Sequence, residues 1–551
     1  MTESTAPIAE NAPTSTAARI GWAALILVTL YVSYFSHLGA IGFVGPDEPR
    51  YAWIARDMAE TGDWVTPRLY GKPWFEKPPL FYWGAALSFK LFGVSEVAAR
   101  LPSAISALLA TLALAWLALC LYGAETARWL LLLLPTTVGM IGFSHAAATD
   151  MPFSAMLTIA MVSAAVVLGL TRNENTPILP RTPWLALLLF GFFLGLAVLA
   201  KGPAAIILSG GAVFFWALFT RRWRDAFRLL HPVAIASFCL TALPWYIVCA
   251  RRNPDFFRIF IIEHNFKRYL TPEFQHIQPF WFFIPITLLA LLPWSSILAA
   301  VASDVRRTRE AGSWRFSPDV YFGCWIAFVF VFFSVSKSKL PGYILPTIPA
   351  LGIPISQSVS LRIRKIAQGS RWIGVATGMA LFALGVFAAL NLDSFGLTWA
   401  ASALVGGGMV SAVLGNLRRL AFSLIIAVLA VIAAINLALS GTNRRAIDYS
   451  VSVRPATQAA RLAWNDYSPE QSTTFKLTRS LQYNLNFYFH RELPEWSPDR
   501  SKAGWVFASP NEEFDLRKLG LDCPFNPLRH AIIVCKDQGS ASSPRDRRQP
   551  H

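Results

Sequence analysis

Thirteen apolar runs, each near the roughly 20 residues needed to cross the hydrocarbon core of a bilayer, fill most of this chain. They lie near residues 20–42, 97–121, 129–145, 149–170, 184–200, 203–220, 229–250, 279–302, 318–336, 341–360, 372–391, 396–415 and 420–439. Lipid offers no hydrogen bonds to a bare backbone, so only helices or closed barrels survive there. Runs of this length select helices. Charged residues make up 15% of the 551 positions, against about 25% in ordinary soluble proteins. The chain is therefore expected to be an α-helical integral membrane protein of about 13 transmembrane helices.

The formal net charge of +17 would suggest nucleic acid in a soluble protein, but here the excess sits in short loops between apolar runs. With the N-terminus inside, six inner loops hold 17 basic residues: Arg128; Arg172 and Arg181; Arg221, Arg222, Arg224 and Arg228; Arg306, Arg307, Arg309 and Arg315; Arg362, Arg364, Lys365 and Arg371; Arg418 and Arg419. That is the usual loop asymmetry of multi-pass proteins. An odd number of spans then leaves everything after about residue 440 outside.

The ends read differently. Residues 1–18 are Ala/Thr/Ser/Pro-rich and expected to be disordered; no removable signal pattern precedes the first run. Residues 441–538 read as a small soluble α/β domain, with strand-like pieces at 474–477, 486–489, 504–508 and 531–535, before a disordered tail at 539–551. Cys523 and Cys535 are expected to form a disulfide, being close in sequence and outside. The other four cysteines lie in apolar runs, and there is no CxxC or Cys/His cluster.

The middles of the runs are nearly free of ionisable residues, whereas transporters and pumps keep such groups near the midplane. Acids and bases gather at the outer ends instead. The segment 43–96 is the richest. Tyr51, Ile54, Ala55 and Met58 mark one face of a short helix over 48–60, and an aromatic-rich helix over 79–92 follows Pro78-Pro79. Both are too short to span and are expected to lie along the interface. Asp47 and Glu48 open the first; Glu76 and Lys77 precede the second. Capping explains one acid at a helix start but not a group of them beside Asp150. Three more outer clusters join them: Lys201-Gly202-Pro203; Arg251, Arg252, Arg258, Glu263, His264, Lys267 and Arg268; and Lys337, Lys339 and Tyr343. Outer positive charge runs against the orientation bias, and anionic headgroups or phosphates account for it.

The stretch GPDEPRYA…TGDWVTPRLYGKPWFEKPPLFYW, followed by ATDMPF, AKGP and SKLPGYILPTIPAL, resembles the bacterial lipid A aminoarabinose transferases. These belong to the GT-C class, which includes the protein O-mannosyltransferases. The resemblance covers roughly 1–440. It implies a GT-C fold and an outward-facing site. The donor would be undecaprenyl phosphate carrying 4-amino-4-deoxy-L-arabinose, and the acceptor a phosphate of lipid A. Asp47 matches the acid that the class places after span one, and is the implied catalytic residue. Lys77, with Lys201, Arg268 and Tyr343, would bind the donor phosphate; Glu48, Arg50, Tyr51, Glu76 and Asp150 would position sugar or acceptor.

Several alternatives stay open. Asp47 could orient the acceptor, hold the sugar's ammonium group or stabilise oxocarbenium character. A metal held by Glu76 and His264 is a weak pattern, and no essential cofactor is expected. Other readings are a protein O-glycosyltransferase and a transporter for a lipid-linked sugar. The expected setting is a bacterial inner membrane, with membrane lipids as surroundings and no nucleic acid partner.

Overall fold

The computed structural model describes residues 15–171, 184–267, 277–312, 314–364, 369–391, 397–455, 457–458, 469–497, 504–523 and 532–537. Arg172, Arg181, Arg268, Lys365, most of the N-terminal segment and the tail at 539–551 lie outside these residues.

Each of the thirteen apolar runs is largely helical. Among the described residues, eight helices are long and apolar enough to cross a membrane, or ten if two bent pairs count as one span each. The count of thirteen is not reproduced, because the helices Ala204–Thr220, Asp319–Val335 and Thr347–Ile363 have 17 residues each. The bent pairs are Ala124–Leu133 with Val138–Ser144, at 62°, and Phe280–Ala290 with Trp294–Glu310, at 116°. The first helix begins at Thr16, where the Ser15 side chain accepts from the amide of Ala18. Helical structure therefore starts inside the stretch expected to be disordered.

Asp150–Val167 is the central pillar, with nearly every side chain buried. Elsewhere in the bundle small residues let helices approach closely, the common device where lipid provides no hydrophobic drive. A Cβ added at Gly374 or Gly415 would meet the facing glycine at 2.5 or 2.6 Å. The helices Ser370–Asn391 and Leu397–Asn416 therefore pack backbone to backbone.

The segment after the first span forms the two short helices expected there, Asp47–Thr61 and Leu80–Phe92. Tyr51, Ile54, Ala55 and Met58 all turn inward. Gly62 ends the first helix in a left-handed conformation, φ 75°, which glycine adopts without strain. Asp63 Oδ1 then accepts from the amides of Val65 and Thr66, and strands β1 (Arg68–Leu69) and β2 (Lys72–Pro73) make a tight hairpin. Trp83 and Trp245 donate to the carbonyls of Trp64 and Val65, lashing the loop to the bundle. The hairpin thereby delivers Trp74, Glu76 and Lys77 to a fixed place.

The C-terminal part contains a three-stranded sheet in the order β3 (Ser472–Phe475), β4 (Gly504–Ala508), β5 (Ile533–Asp537). β3 and β4 are parallel; β4 and β5 are antiparallel. Residues 486–489, expected as a strand, belong instead to the helix Arg479–Phe489. Thr478 caps that helix, and its inward residues, among them Leu485 and Phe489, pack with Phe507 and Val534 of the sheet. Cys523 and Cys535 are disulfide-bonded. Cys249 and Cys324 are buried thiols.

Candidate active site

The Asp47 helix and the hairpin bring four ionisable groups into one chain of contacts. Arg50 Nη2 lies 2.5 Å from Asp47 Oδ1, Arg50 Nη1 lies 3.1 Å from Glu76 Oε2, and Lys77 Nζ lies 3.7 Å from Glu76 Oε1. The Arg50 guanidinium also sits 5.2 Å from the ring of Tyr51, 5.5 Å from Trp74 and 5.9 Å from Tyr483. Three aromatic faces and two carboxylates hold it, so its charge is fixed in place. Asp47 differs from its neighbours: its side chain is 53% exposed, while that of Glu76 is 10% exposed.

A second group comes from three distant helix ends. Lys201, at the end of Trp184–Lys201, places Nζ 2.5 Å from Oδ1 of Asp150, which opens the central pillar. The same ammonium lies 4.9 Å from the ring of Tyr343 and 5.5 Å from Phe153. Gly342 allows this closeness, since a Cβ there would fall 2.7 Å from Asp150 Oδ1.

The two groups share one electrostatic environment. Although half of the Asp47 side chain is open, the surrounding protein partly desolvates its carboxyl and raises it above the ordinary carboxylate range. Arg50 and Lys77 lower it, and the negative charges of Glu76 and Asp150 raise it further. Buried polar atoms with no hydrogen-bond partner among the described residues cluster nearby: Arg50 Nε, Trp74 Nε1, Tyr82 Oη and Thr149 Oγ1. The Tyr82 hydroxyl is close enough to feel the charges of Glu76, Arg50 and Asp47. Such a site can hold a polar, partly anionic group at one end of the helical bundle.

Glu48 stands apart. Its carboxylate accepts from Arg100 Nε and Nη2 and from the amides of Val44 and Ala147. With four bonds and 7% exposure, it serves the framework. Those bonds position the protein's own segments, the start of the Asp47 helix and the turn before Asp150. His264 lies on the helical segment Arg258–Lys267, and Arg268 is outside the described residues. Among the described residues, no three His, Cys, Asp or Glu side chains group in a way that could hold a metal ion.

Sequence reasoning missed Arg100, Trp74 and Tyr483 as parts of this region. Arg100 had a signal, being an ionisable residue inside the opening of an apolar run. Tyr483 had none, since its place depends on contacts across more than 400 positions.

Comparison with known proteins agrees with this architecture. The family model for dolichyl-phosphate-mannose-protein mannosyltransferases matches residues 21–260. A protein of Edwardsiella ictaluri named undecaprenyl phosphate-alpha-4-amino-4-deoxy-L-arabinose arabinosyl transferase is 33% identical over 335 residues, covering 60% of this chain and 58% of that protein. One of the same name from Pseudomonas aeruginosa is 30% identical over 373 residues, covering 67% and 65%. The chain thus aligns with less than two thirds of each relative. The crystal structure of ArnT from Cupriavidus metallidurans, bound to undecaprenyl phosphate, superposes with a TM-score of 0.75 at 24% identity, covering 95% of this chain and 99% of that one. The fold is of the GT-C class.

Proposed function

We propose that this relative of the aminoarabinose transferases moves 4-amino-4-deoxy-L-arabinose from undecaprenyl phosphate to a phosphate of lipid A. One observation carries the reading: Asp47, Arg50, Glu76, Lys77, Asp150 and Lys201, from four distant segments, meet at one end of the span bundle. A lipid-borne donor and acceptor both present their polar ends at that depth. The names of the relatives supply the sugar and the carrier, and the asymmetry of basic loops supports a periplasmic site in a bacterial inner membrane with the N-terminus cytoplasmic.

In this reading an oxygen of the acceptor phosphate attacks the anomeric carbon, and the bond from that carbon to the polyprenyl phosphate oxygen breaks. The leaving phosphate gains negative charge. Lys77 faces that charge, with Lys201, Tyr343 and Arg268 as further donors. Fixed donors aimed at developing charge are often the largest part of catalysis. An acceptor phosphate is already ionised, so Asp47 has little work as a general base. Its open carboxylate, steered by Arg50, orients the incoming group or holds the sugar's ammonium, and Glu76 and Asp150 add negative charge for the same cation. The product carries a positive amine, which lowers the negative charge of the outer surface and weakens attraction for polymyxin and other cationic peptides.

The match to the mannosyltransferase model favours one second reading, in which the acceptor is a Ser/Thr hydroxyl and Asp47 is a true base. Purified protein with defined donor and either lipid A or a polypeptide acceptor separates the two by mass spectrometry. A fixed pentosamine increment on lipid A supports the first reading. An increment on polypeptide alone replaces it with the second.

A further inference from the structure

The helix that follows the last span has no role in the chemistry above. Gly441–Val451 starts three residues after Leu420–Ala438 ends, so it lies at headgroup level, and Asn443 Nδ2 ties it to the carbonyl of Leu437. It lies on the same end of the bundle as Asp47, because Asp448 Oδ1 accepts from the amide of Gly42 at 2.7 Å. Its inward face carries Asp448, which Arg454 also engages at 2.6 Å. Arg444, one turn before Asp448, and Arg445 and Tyr449 beside it are all exposed. Arg445 and Tyr449 are four apart and share one stripe.

A cavity of about 390 Å³ opens beside this helix, lined by Arg444, Arg445, Asp448, Tyr449, Arg454 and Gln458. Its size falls within the usual range for a ligand pocket. Three guanidiniums face one carboxylate, and that carboxylate is already occupied by Arg454 and the Gly42 amide. Arg454 is further balanced by Glu96 at 3.1 Å. Among the described residues the ion pairs at this place are those of Arg454, with Glu96 and Asp448, and neither Arg444 nor Arg445 joins them. Three arginines and one aspartate give the described lining a net charge of +2, and Glu96, behind Arg454, offsets one of these.

We infer that this cavity binds the phosphate of an anionic membrane lipid, separately from the Asp47–Lys77 site. Arginine offers paired donors that match phosphate oxygens. An exposed tyrosine with exposed Val451 beside a span end is what an interfacial helix presents to headgroups and upper acyl chains. These features select a lipid over a free anion. The occupant contacts a helix anchored to Gly42, so it steadies the segment that leads into the Asp47 helix.

The test uses full-length protein in a neutral detergent, with bound lipids counted by native mass spectrometry. The probes are dioleoyl phosphatidic acid, dioleoyl phosphatidylcholine and inorganic phosphate. Phosphatidic acid is expected to bind, and Arg444→Gln/Arg445→Gln to weaken one binding event roughly 10- to 30-fold. Arg444→Lys/Arg445→Lys, which keeps both charges, should stay within a few-fold of the parent, which also guards against a folding defect in the Gln pair. Equal binding of phosphatidic acid by the parent and the Gln pair would overturn the inference. So would equal binding of phosphatidylcholine, or displacement of the lipid by millimolar inorganic phosphate.

Discussion

Arg100 and Glu48 form an ion pair that solvent hardly reaches: Nη2 lies 2.8 Å from Oε2, with side chains 2% and 9% exposed. Arg100 also donates to the carbonyls of Leu38, Ile41 and Gly42, while Glu48 accepts from the amide of Ala147. One pair thus ties together the end of the first span, the start of the Asp47 helix and the turn that precedes Asp150. Asp47 is the next residue to Glu48, and Asp150 follows Ala147 by three. The spacing between the two acids at the site is set from behind.

Breaking that pair should cost stability. Arg100→Ala leaves a buried carboxylate without its partner, which typically costs 3–5 kcal/mol. Thermal unfolding in detergent should show a clear drop, with activity falling in parallel. Glu48→Ala should behave alike. Activity lost at unchanged thermal stability would instead mean that Glu48 contacts substrate.

The pH dependence of transfer should report Asp47. Its half-open carboxyl is raised by partial desolvation and, more weakly, by the nearby negative charges, Asp150 among them. Since the ionised form is the one that pairs with a cation or orients an acceptor, activity should fall on the acid side above the ordinary value of about 3.9. Asp150→Asn removes a charge that raises the group, so the acid limb should move to lower pH. Lys77→Gln should move it the other way. An acid limb that Asp150→Asn leaves in place would separate the two acids.

Lys201 and Asp150 should act as a unit. At 2.5 Å, each is the other's partner, so removing either leaves the other in an altered state. A double-mutant cycle of Lys201→Ala and Asp150→Asn, read on the transfer rate, should show a coupling of about 0.5–3 kcal/mol. Additive effects would mean that the contact has no part in catalysis.

The C-terminal helix should contribute to the site through one ring. Tyr483 lies 5.9 Å from the Arg50 guanidinium, and Asn484 Nδ2 holds the carbonyl of Gly45 at 3.1 Å. The Arg50 side chain is 13% exposed, so losing this cation–π contact costs about 1–2 kcal/mol, and Tyr483→Ala should slow transfer roughly five- to thirtyfold. Tyr483→Phe keeps the ring and should retain the parent rate. Equal losses in both variants would point to the hydroxyl.

Much of this was legible before any coordinates. Apolar runs of span length dictate a helical bundle, and the i, i+3, i+4, i+7 spacing of Tyr51, Ile54, Ala55 and Met58 dictates the buried face of the first short helix. The acids at the starts of helices pointed to one end of the bundle. What could not be read was partnership. Nothing local distinguishes Glu48, which is consumed by Arg100, from Asp47, which remains half open. Residues 486–489 read as a strand because aromatic residues suit both elements, and only packing with Phe507 and Val534 decides for a helix. Bent spans escape counting for a related reason, since composition reports length but not direction.

The central claim is that distant ionisable side chains surround a lipid phosphate as it leaves, with Lys77 facing it. The most direct measurement is the single-turnover rate of aminoarabinose transfer from undecaprenyl phosphate to lipid A by Lys77→Gln beside the parent. The account predicts a rate lower by about 10²–10³, the usual result of removing one donor to developing charge, at unchanged thermal stability. A Lys77→Gln protein that transfers sugar at the parent rate would contradict it.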